Sequence, residues 1–386
     1  MPFILESCRS WHEYWSNALN CRNTLLSVWA NRLGQKEIPV TKSQRLTLKT
    51  VAQILGVSNA TVSNAFNRPD QLSQQRREEI LAACAELGYA GPNQAARSLR
   101  RGRSGIVALV LPDSLEYMVA DPVASKFIQG VTSVLESAKI NLLLFSGKSD
   151  SLSSVVDFVD GFICYGTPRN NQLADQLTQV QKQVVTVDFS LPDRASVNID
   201  NQAAARQIAN RALTQSARHI AILGLRLLPG DQVCRVYETD EFSPLTSISH
   251  LRLSGYQQAL TDHGLHIEAN QLWNIPESTL EQGAIAAKAA LSSTPRPDVL
   301  LCMSDLIALA ALKEANEIGL NVPQDVRIVG FDGIDEALRS TPPLCTVHQN
   351  SVEKGRCAAE LYLSQTSQQQ ILNYTLIAGQ SSGNKH

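Results

Sequence analysis

The residues of this chain that could do chemistry offer charge and hydrogen bonding rather than catalysis. The seven histidines contain no H-E-x-x-H pair, the spacing that places two imidazoles on one helix face around zinc. Neither a P-loop nor a nucleophile elbow on a strand-to-helix turn is expected. The eight cysteines form no C-x-x-C pair, so zinc and disulfide frameworks are unsupported and reduced thiols are expected. No enzyme activity, metal or cofactor is expected. What stands out is a local excess of cations. Residues 45–103 hold nine Lys or Arg against four Asp or Glu, about +5, while the whole chain is −2. A basic segment on a near-neutral chain suits a head that faces phosphates.

The elements that must position those cations are legible from caps and stops. Thr47 can cap a helix Leu48–Leu55, and Gly56 stops it; the cap oxygen accepts an orphan backbone N–H. Ser58 caps a second helix, Asn59–Asn67, which Arg68-Pro69-Asp70 ends because proline cannot continue it. Ser73 caps a third, Gln74–Leu87. Three short helices with a tight glycine turn between the first two form a helix-turn-helix pattern. Its expected core is Val51, Ala52, Leu55, Val57, Val62, Phe66, Ile80, Leu81, Ala83, Cys84 and Leu87. Asn59, Ala60 and Asn64 fall near one exposed face of the second helix. Asparagine can pair with adenine edges and alanine can touch a thymine methyl, while Thr61 and Ser63 suit phosphates.

From Ser104 onward, apolar runs of strand length alternate with amphipathic helices, the mark of parallel α/β sheets. The strands are expected at Ile106–Leu111, Ile140–Phe145, Gly161–Tyr165, Val184–Val187, His219–Leu223, Val299–Cys302 and Arg327–Phe331. Helices are expected at Ser125–Ser137, Gln172–Gln179, Asn201–Leu213, Leu253–His263, Leu280–Leu291 and Asp305–Ile318. About 280 residues suffice for two such lobes. No run approaches the ~18 apolar residues of a membrane helix. Glu6, Arg9 and Glu13 interrupt any secretory h-region, so a cytoplasmic location is expected. Residues 1–44 hold three of the four tryptophans without clear periodicity and are expected to be poorly ordered or outside the native product.

Thr47-Leu48-Lys49-Thr50-Val51-Ala52 and the run Leu55 to Asn67, with Leu87-Gly88-Tyr89, Pro92-Asn93 and Ala96-Arg97-Ser98-Leu99 behind them, resemble the LacI/GalR family, the lactose- and galactose-repressor type of regulator. The likeness spans roughly residues 46–383. It implies a helix-turn-helix head at 45–90, a hinge at 91–103 and an effector-binding core at 104–386. The core resembles type I periplasmic sugar-binding proteins. Lobe 1 is expected at about 104–203 plus part of 346–374, and lobe 2 at about 204–342 plus the C-terminal strand. The resemblance places DNA contacts at Thr47, Leu48, Ser58, Asn59, Ala60, Thr61, Ser63, Asn64 and Asn67, and in the hinge at Asn93, Ala96, Leu99 and Arg100. Leu99 occupies the position of a leucine that wedges into the minor groove; its other reading is packing against the body. Asn64 stands where many relatives carry arginine, and Gly91 is an extra residue.

The resemblance also implies a small-molecule pocket between the lobes, at the C-terminal ends of parallel strands. Tyr117, Asp121, Asp188, Arg252, Trp273 or Asn274, Asp305, Asp332 and Gln349 match its positions. Carboxylates and a guanidinium suit sugar hydroxyls. Asp305 has a second reading, a helix N-terminal carboxylate facing the macrodipole. The implied function is a homodimeric, nucleoid-associated repressor of a pseudo-palindromic double-stranded operator, controlled by a sugar-like effector. The competing reading is a cytoplasmic solute-binding protein. No leucine heptads follow Thr375, so no tetramerising coiled coil is expected.

Overall fold

The computed structural model describes residues 46–91, 103–214, 216–237, 247–267 and 269–383. The chain divides into two units between residues 97 and 98. The expected extension 1–44 and the linker positions Asn93, Ala96, Leu99 and Arg100 lie outside the described residues.

The first unit holds α1 (Leu48–Ile54), α2 (Asn59–Asn67) and α3 (Gln74–Glu86). Each begins at a hydroxyl cap. Thr47, Ser58 and Ser73 accept from the N–H groups of Thr50, Thr61 and Arg76 at 3.2, 3.0 and 3.4 Å. A cap of this kind is worth about 1 kcal/mol. Leu55 is the C-cap of α1 rather than its last residue, and Gly56 turns the chain at φ +62°, a left-handed geometry cheap only for glycine. Val51, Ala52, Val62, Ala65, Ile80, Cys84 and Tyr89 form the buried core. Tyr89 meets Phe66 edge-on at 6.0 Å. Arg77 Nε donates to Ala65 O at 2.9 Å and so ties α3 to α2.

The second unit contains two sheets. The strands β1 (Ile106–Leu111), β2 (Asn141–Ser146), β3 (Gly161–Tyr165), β4 (Gln183–Val187), β5 (Ala195–Ile199) and β12 (Gln369–Leu372) form the first, in the order β12-β5-β4-β3-β1-β2. All its pairings are parallel. The second comprises β6 (Ile220–Leu225), β7 (Cys234–Arg235), β8 (Leu272–Ile275), β9 (Val299–Cys302) and β10 (Arg327–Val329), in the order β10-β9-β6-β8-β7, with only β7 antiparallel. A two-stranded ribbon pairs β11 (Thr346–His348) with β13 (Thr375–Ile377). The helices are α4 (Leu115–Ala120), α5 (Pro122–Ser137), α6 (Asn171–Gln179), α7 (Asn201–Ala212), α8 (Ile248–Asp262), α9 (Leu280–Leu291), α10 (Asp305–Glu317), α11 (Asp335–Arg339) and α12 (Ser351–Ser364). Among the described residues no helix is long and apolar enough to cross a membrane.

Two lobes result, each a sheet with helices on its faces. The chain leaves the first lobe after β5, since α7 packs on α8 of the second lobe. It returns after β11, since α12 packs on α5. It leaves again after β12 to form β13. The α5–α12 packing depends on two glycines. A Cβ at Gly130 would stand 2.0 Å from Val352 O, and one at Gly355 would stand 2.2 Å from Phe127 O.

Several elements differ from expectation. Helix α8 begins at Ile248 rather than Leu253 because Ser247 supplies its cap. Helix α12 had no foreseen start because its first neighbour, Asn350, is in the left-handed region at φ +55° and makes no side-chain cap. Strand β5 mixes Ser196 and Asn198 into its apolar pattern, and β8 is four residues long. The tail does spell G-x-S-x-G over residues 379–383, contrary to the expected absence of an elbow. No elbow chemistry follows, because the buried Ser381 hydroxyl donates to Ile328 O at 2.5 Å and accepts from Cys345 N at 2.9 Å.

Gly355→Ala is expected to destabilise the second unit by about 1–3 kcal/mol, the usual cost of overpacking. Denaturant unfolding checks this; an unchanged midpoint would show that the two helices do not need backbone contact here.

Candidate functional site

On the head, Val62 and Ala65 face inward from α2, which leaves the opposite side outward. Asn59 and Ala60 are exposed, and Ser63 and Asn64 are half-buried. The face is open to a partner. Ser58 and Thr61 are engaged with each other at the cap, Oγ to Oγ1 at 2.8 Å; Thr47 and Thr50 repeat the arrangement at 2.9 Å. Asn67 folds back, donating from Nδ2 to Ser63 O at 2.9 Å. Leu48 is half-buried and packs against the head core.

In the core, strand ends and helices from both lobes deliver a continuous polar chain. Lys354 of α12 donates to Asp188 Oδ1 and to Gln349 Oε1, each at 2.6 Å. Gln349 Nε2 donates to Asp332 Oδ1 at 2.7 Å. Arg252 of α8 lies 3.5 Å from that same oxygen. Its Nη1 donates to Met303 O at 2.6 Å and its Nε to Asn201 Oδ1 at 3.1 Å. The guanidinium also stacks over Phe331 at 3.6 Å, a cation–π contact. All six polar residues are buried. Asp188 follows β4 and Asp332 follows β10, both with positive φ, +63° and +128°. Such backbone costs of order 1–3 kcal/mol and persists where surroundings over-determine it. Both carboxylates end in the buried polar chain.

Electrostatics follow from burial. Burial raises the Asp332 carboxyl well above its ordinary value, opposed by Arg252 and reinforced by Asp305 and Asp121. Burial lowers the Lys354 ammonium, opposed by Asp188. Asp305 is pushed up to about 6, again by burial, against the hydrogen bonds it accepts.

Asp305 does not reach out to the cleft with a free oxygen. It accepts from Gly333 N and Ile334 N at 2.7 and 2.9 Å on Oδ2, and from Thr346 Oγ1 at 2.5 Å on Oδ1. It therefore clamps the loop after β10 to β11. Asp121 caps α5, accepting from Ala124 N at 2.7 Å. Tyr117 accepts from Ser278 N across the lobes at 2.8 Å. Trp273 and Asn274, the alternatives expected at the effector site, are both buried. Trp273 lies in the core of the second lobe, under Arg235 at 4.9 Å. Asn274 Oδ1 accepts from Leu227 N and Leu228 N at 2.8 and 3.0 Å, pinning the loop after β6. Ser278, further along that chain segment, is the residue that meets Tyr117 and bonds Ser304 Oγ at 2.7 Å.

A second charged group spans the lobes at the rim. Asp113, fully buried, lies 2.8 Å from Arg169, 3.1 Å from Lys148 and 2.7 Å from Arg226 of the second lobe. Arg169 also crosses to Asp231 at 2.7 Å. Burial works against the Asp113 charge, but the Ser114 amide and the three cations outweigh it and hold its carboxyl below the ordinary value. Asp113, Arg226, Ser278 and Lys354 were not foreseen. Lys354 alone left a signal: it falls in phase with the buried residues Ser351, Gly355, Ala358 and Tyr362 of α12.

Known proteins fit both halves. Residues 47–93 match the model of bacterial regulatory proteins, lacI family, and residues 209–382 match a periplasmic binding protein-like domain. The HTH-type transcriptional regulator Rv3575c of Mycobacterium tuberculosis is 36% identical over 355 residues, covering 89% of this chain and 98% of the relative. The HTH-type transcriptional repressor CytR of Escherichia coli is 30% identical over 340 residues, covering 84% and 91%. Among solved structures, a transcriptional regulator CelR–cellobiose complex matches at 27% identity with TM-score 0.62, over 87% of this chain and all of that one (100%). A lac repressor dimer bound to operator and an anti-inducer matches at 22% identity with TM-score 0.64, over 88% and 99%, which bears on the fold alone.

The raised Asp332 carboxyl has a pH consequence. A proton held more tightly in the folded state contributes stability below the unfolded value, and that contribution is lost as pH rises through the raised folded value. Asparagine mimics the protonated acid. Asp332→Asn is therefore expected to gain melting temperature relative to the parent as pH rises from about 5 to about 8. A difference that stays constant with pH would contradict the assignment.

Proposed function

We propose that this chain, which belongs to the lacI family of bacterial regulatory proteins, is a dimeric transcriptional repressor that reads a pseudo-palindromic operator and answers to a sugar-like effector held between its lobes. The observation that carries the reading is the pairing, in one chain, of an outward polar face on a capped second helix with a buried network of carboxylates, a lysine and a guanidinium that joins two lobes. A solute-binding protein needs only the second of these.

The chemistry divides between the two units. In the head, Asn59, Ala60 and Asn64 enter the major groove and carry base readout. Thr47, Thr61 and Ser63, with Ser58 and Asn67, line the phosphate side and set register without reading sequence. In the linker, Asn93, Ala96, Leu99 and Arg100 serve the minor groove, as the family resemblance implies. In the core, Asp188 and Asp332 accept from ligand hydroxyls, Arg252 and Gln349 donate, and Tyr117 closes the cleft from the first lobe. The cellobiose found with the related regulator supports a sugar as the ligand class. Effector and operator communicate because each binds one lobe arrangement better than the other. A two-fold dimer presents two heads to two half-sites.

The folded full-length chain is expected to retard a palindromic fragment from its own promoter region at low salt; failure to retard any such fragment would sink the reading. Asn64→Ala should weaken binding to that fragment by about 1–3 kcal/mol while leaving a scrambled duplex unaffected. A thermal-shift panel of sugars should contain a compound that stabilises the protein by mass action, about 2.7 kcal/mol at a hundred times its Kd.

A further inference from the structure

Asp160 takes no part in the polar chain and stands immediately before β3. Its carboxylate accepts three hydrogen bonds from two consecutive residues. Ser104 N and Ser104 Oγ donate to Oδ1 at 2.6 and 3.0 Å, and Gly105 N donates to Oδ2 at 2.8 Å. The Asp160 N–H donates back to Ile106 O at 2.7 Å. Ser104 Oγ also accepts from Ile106 N at 3.1 Å, and Gly105 O accepts from Asn141 N at 2.8 Å. Gly105 sits at φ +70°, the left-handed geometry that turns two successive amides toward one carboxylate.

This is not a local turn, because 56 residues separate Ser104 from Asp160. Nor is it needed to hold β1, which already pairs with β2 on one side and β3 on the other. The bonds instead secure the residues ahead of β1, where the linker segment ends. A carboxylate taking several N–H and O–H donors is a strong, directional arrangement.

We infer that Asp160 is a positioning residue for operator binding: its three hydrogen bonds fix the point at which the linker from the DNA-binding head joins the first lobe. The inference rests on the DNA-binding reading above. Freeing Ser104 and Gly105 would lengthen the tether by two residues, which changes effective concentration by less than about twofold. The larger loss is mechanical. A lobe can bias the spacing of two heads only through a fixed attachment, so without it the heads sample placements that no longer suit the two half-sites.

The test uses the full-length chain, its Asp160→Asn and Asp160→Ala variants, and a duplex that the parent chain selects from a random-sequence pool. Both variants should bind that duplex at least about fivefold more weakly, bind a scrambled duplex within twofold of the parent, and keep the parent's circular dichroism. Trypsin should cut after Arg103 faster in the variants, because Ser104 is no longer held. A folded variant whose affinity for the selected duplex stays within twofold of the parent overturns the inference. Should both Asp160 variants fail to fold, Ser104→Ala is judged by the same threshold. If the parent selects no duplex at all, the DNA-binding reading fails instead, so the two failures are distinguishable.

Discussion

Charge buried between two lobes must be paired, and that requirement organises the core of this protein. An isolated buried ion costs several kcal/mol. The chain of Asp188, Lys354, Gln349, Asp332, Arg252 and Asn201 meets the demand with side chains from both lobes and from two of the segments that connect them. No single lobe holds all its partners. The rim cluster around Asp113 works in the same way with more solvent, since Arg169 and Arg226 remain partly exposed.

The head obeys a different constraint. It is too small to rely on area alone, so it uses hydroxyl caps on all three helices and close packing through Ala52 and Ala65. That economy leaves Asn59 and Ala60 exposed on the outer side of α2. The division explains why residues near each other in sequence have unlike roles: Val62 is core, whereas Asn59 and Ala60 face outward.

Much of this was readable in advance, for physical reasons that differ by region. Caps, glycine stops and apolar phase are local, so the head helices were placed to within a residue or so. Buried parallel strands read as apolar runs, and β1, β3 and β9 matched residue for residue. Asp188, Arg252, Asp332 and Gln349 do come together, although nothing local in their sequence neighbourhoods says so; family likeness supplied them. Sequence left Trp273 and Asn274 as alternatives because every residue of β8 is buried, so its alternation separates two buried faces. Asp305 carried two readings; it does stand in the first turn of α10, and Gly333, Ile334 and Thr346, distant in sequence, take its oxygens. Lys354 was missed because a lysine in a helix is ordinarily a surface residue, and its partners are 166 and 5 residues away.

The polar chain acts as one unit, and a double-mutant cycle between its two carboxylates tests that most directly. Among the described residues, Asp188 and Asp332 share no hydrogen bond and are linked through Lys354 and Gln349. Denaturant unfolding of the parent, Asp188→Asn, Asp332→Asn and the double variant should give a coupling energy above about 0.5 kcal/mol. Strict additivity, within about 0.3 kcal/mol, would mean that the two lobes carry independent sites rather than one shared network.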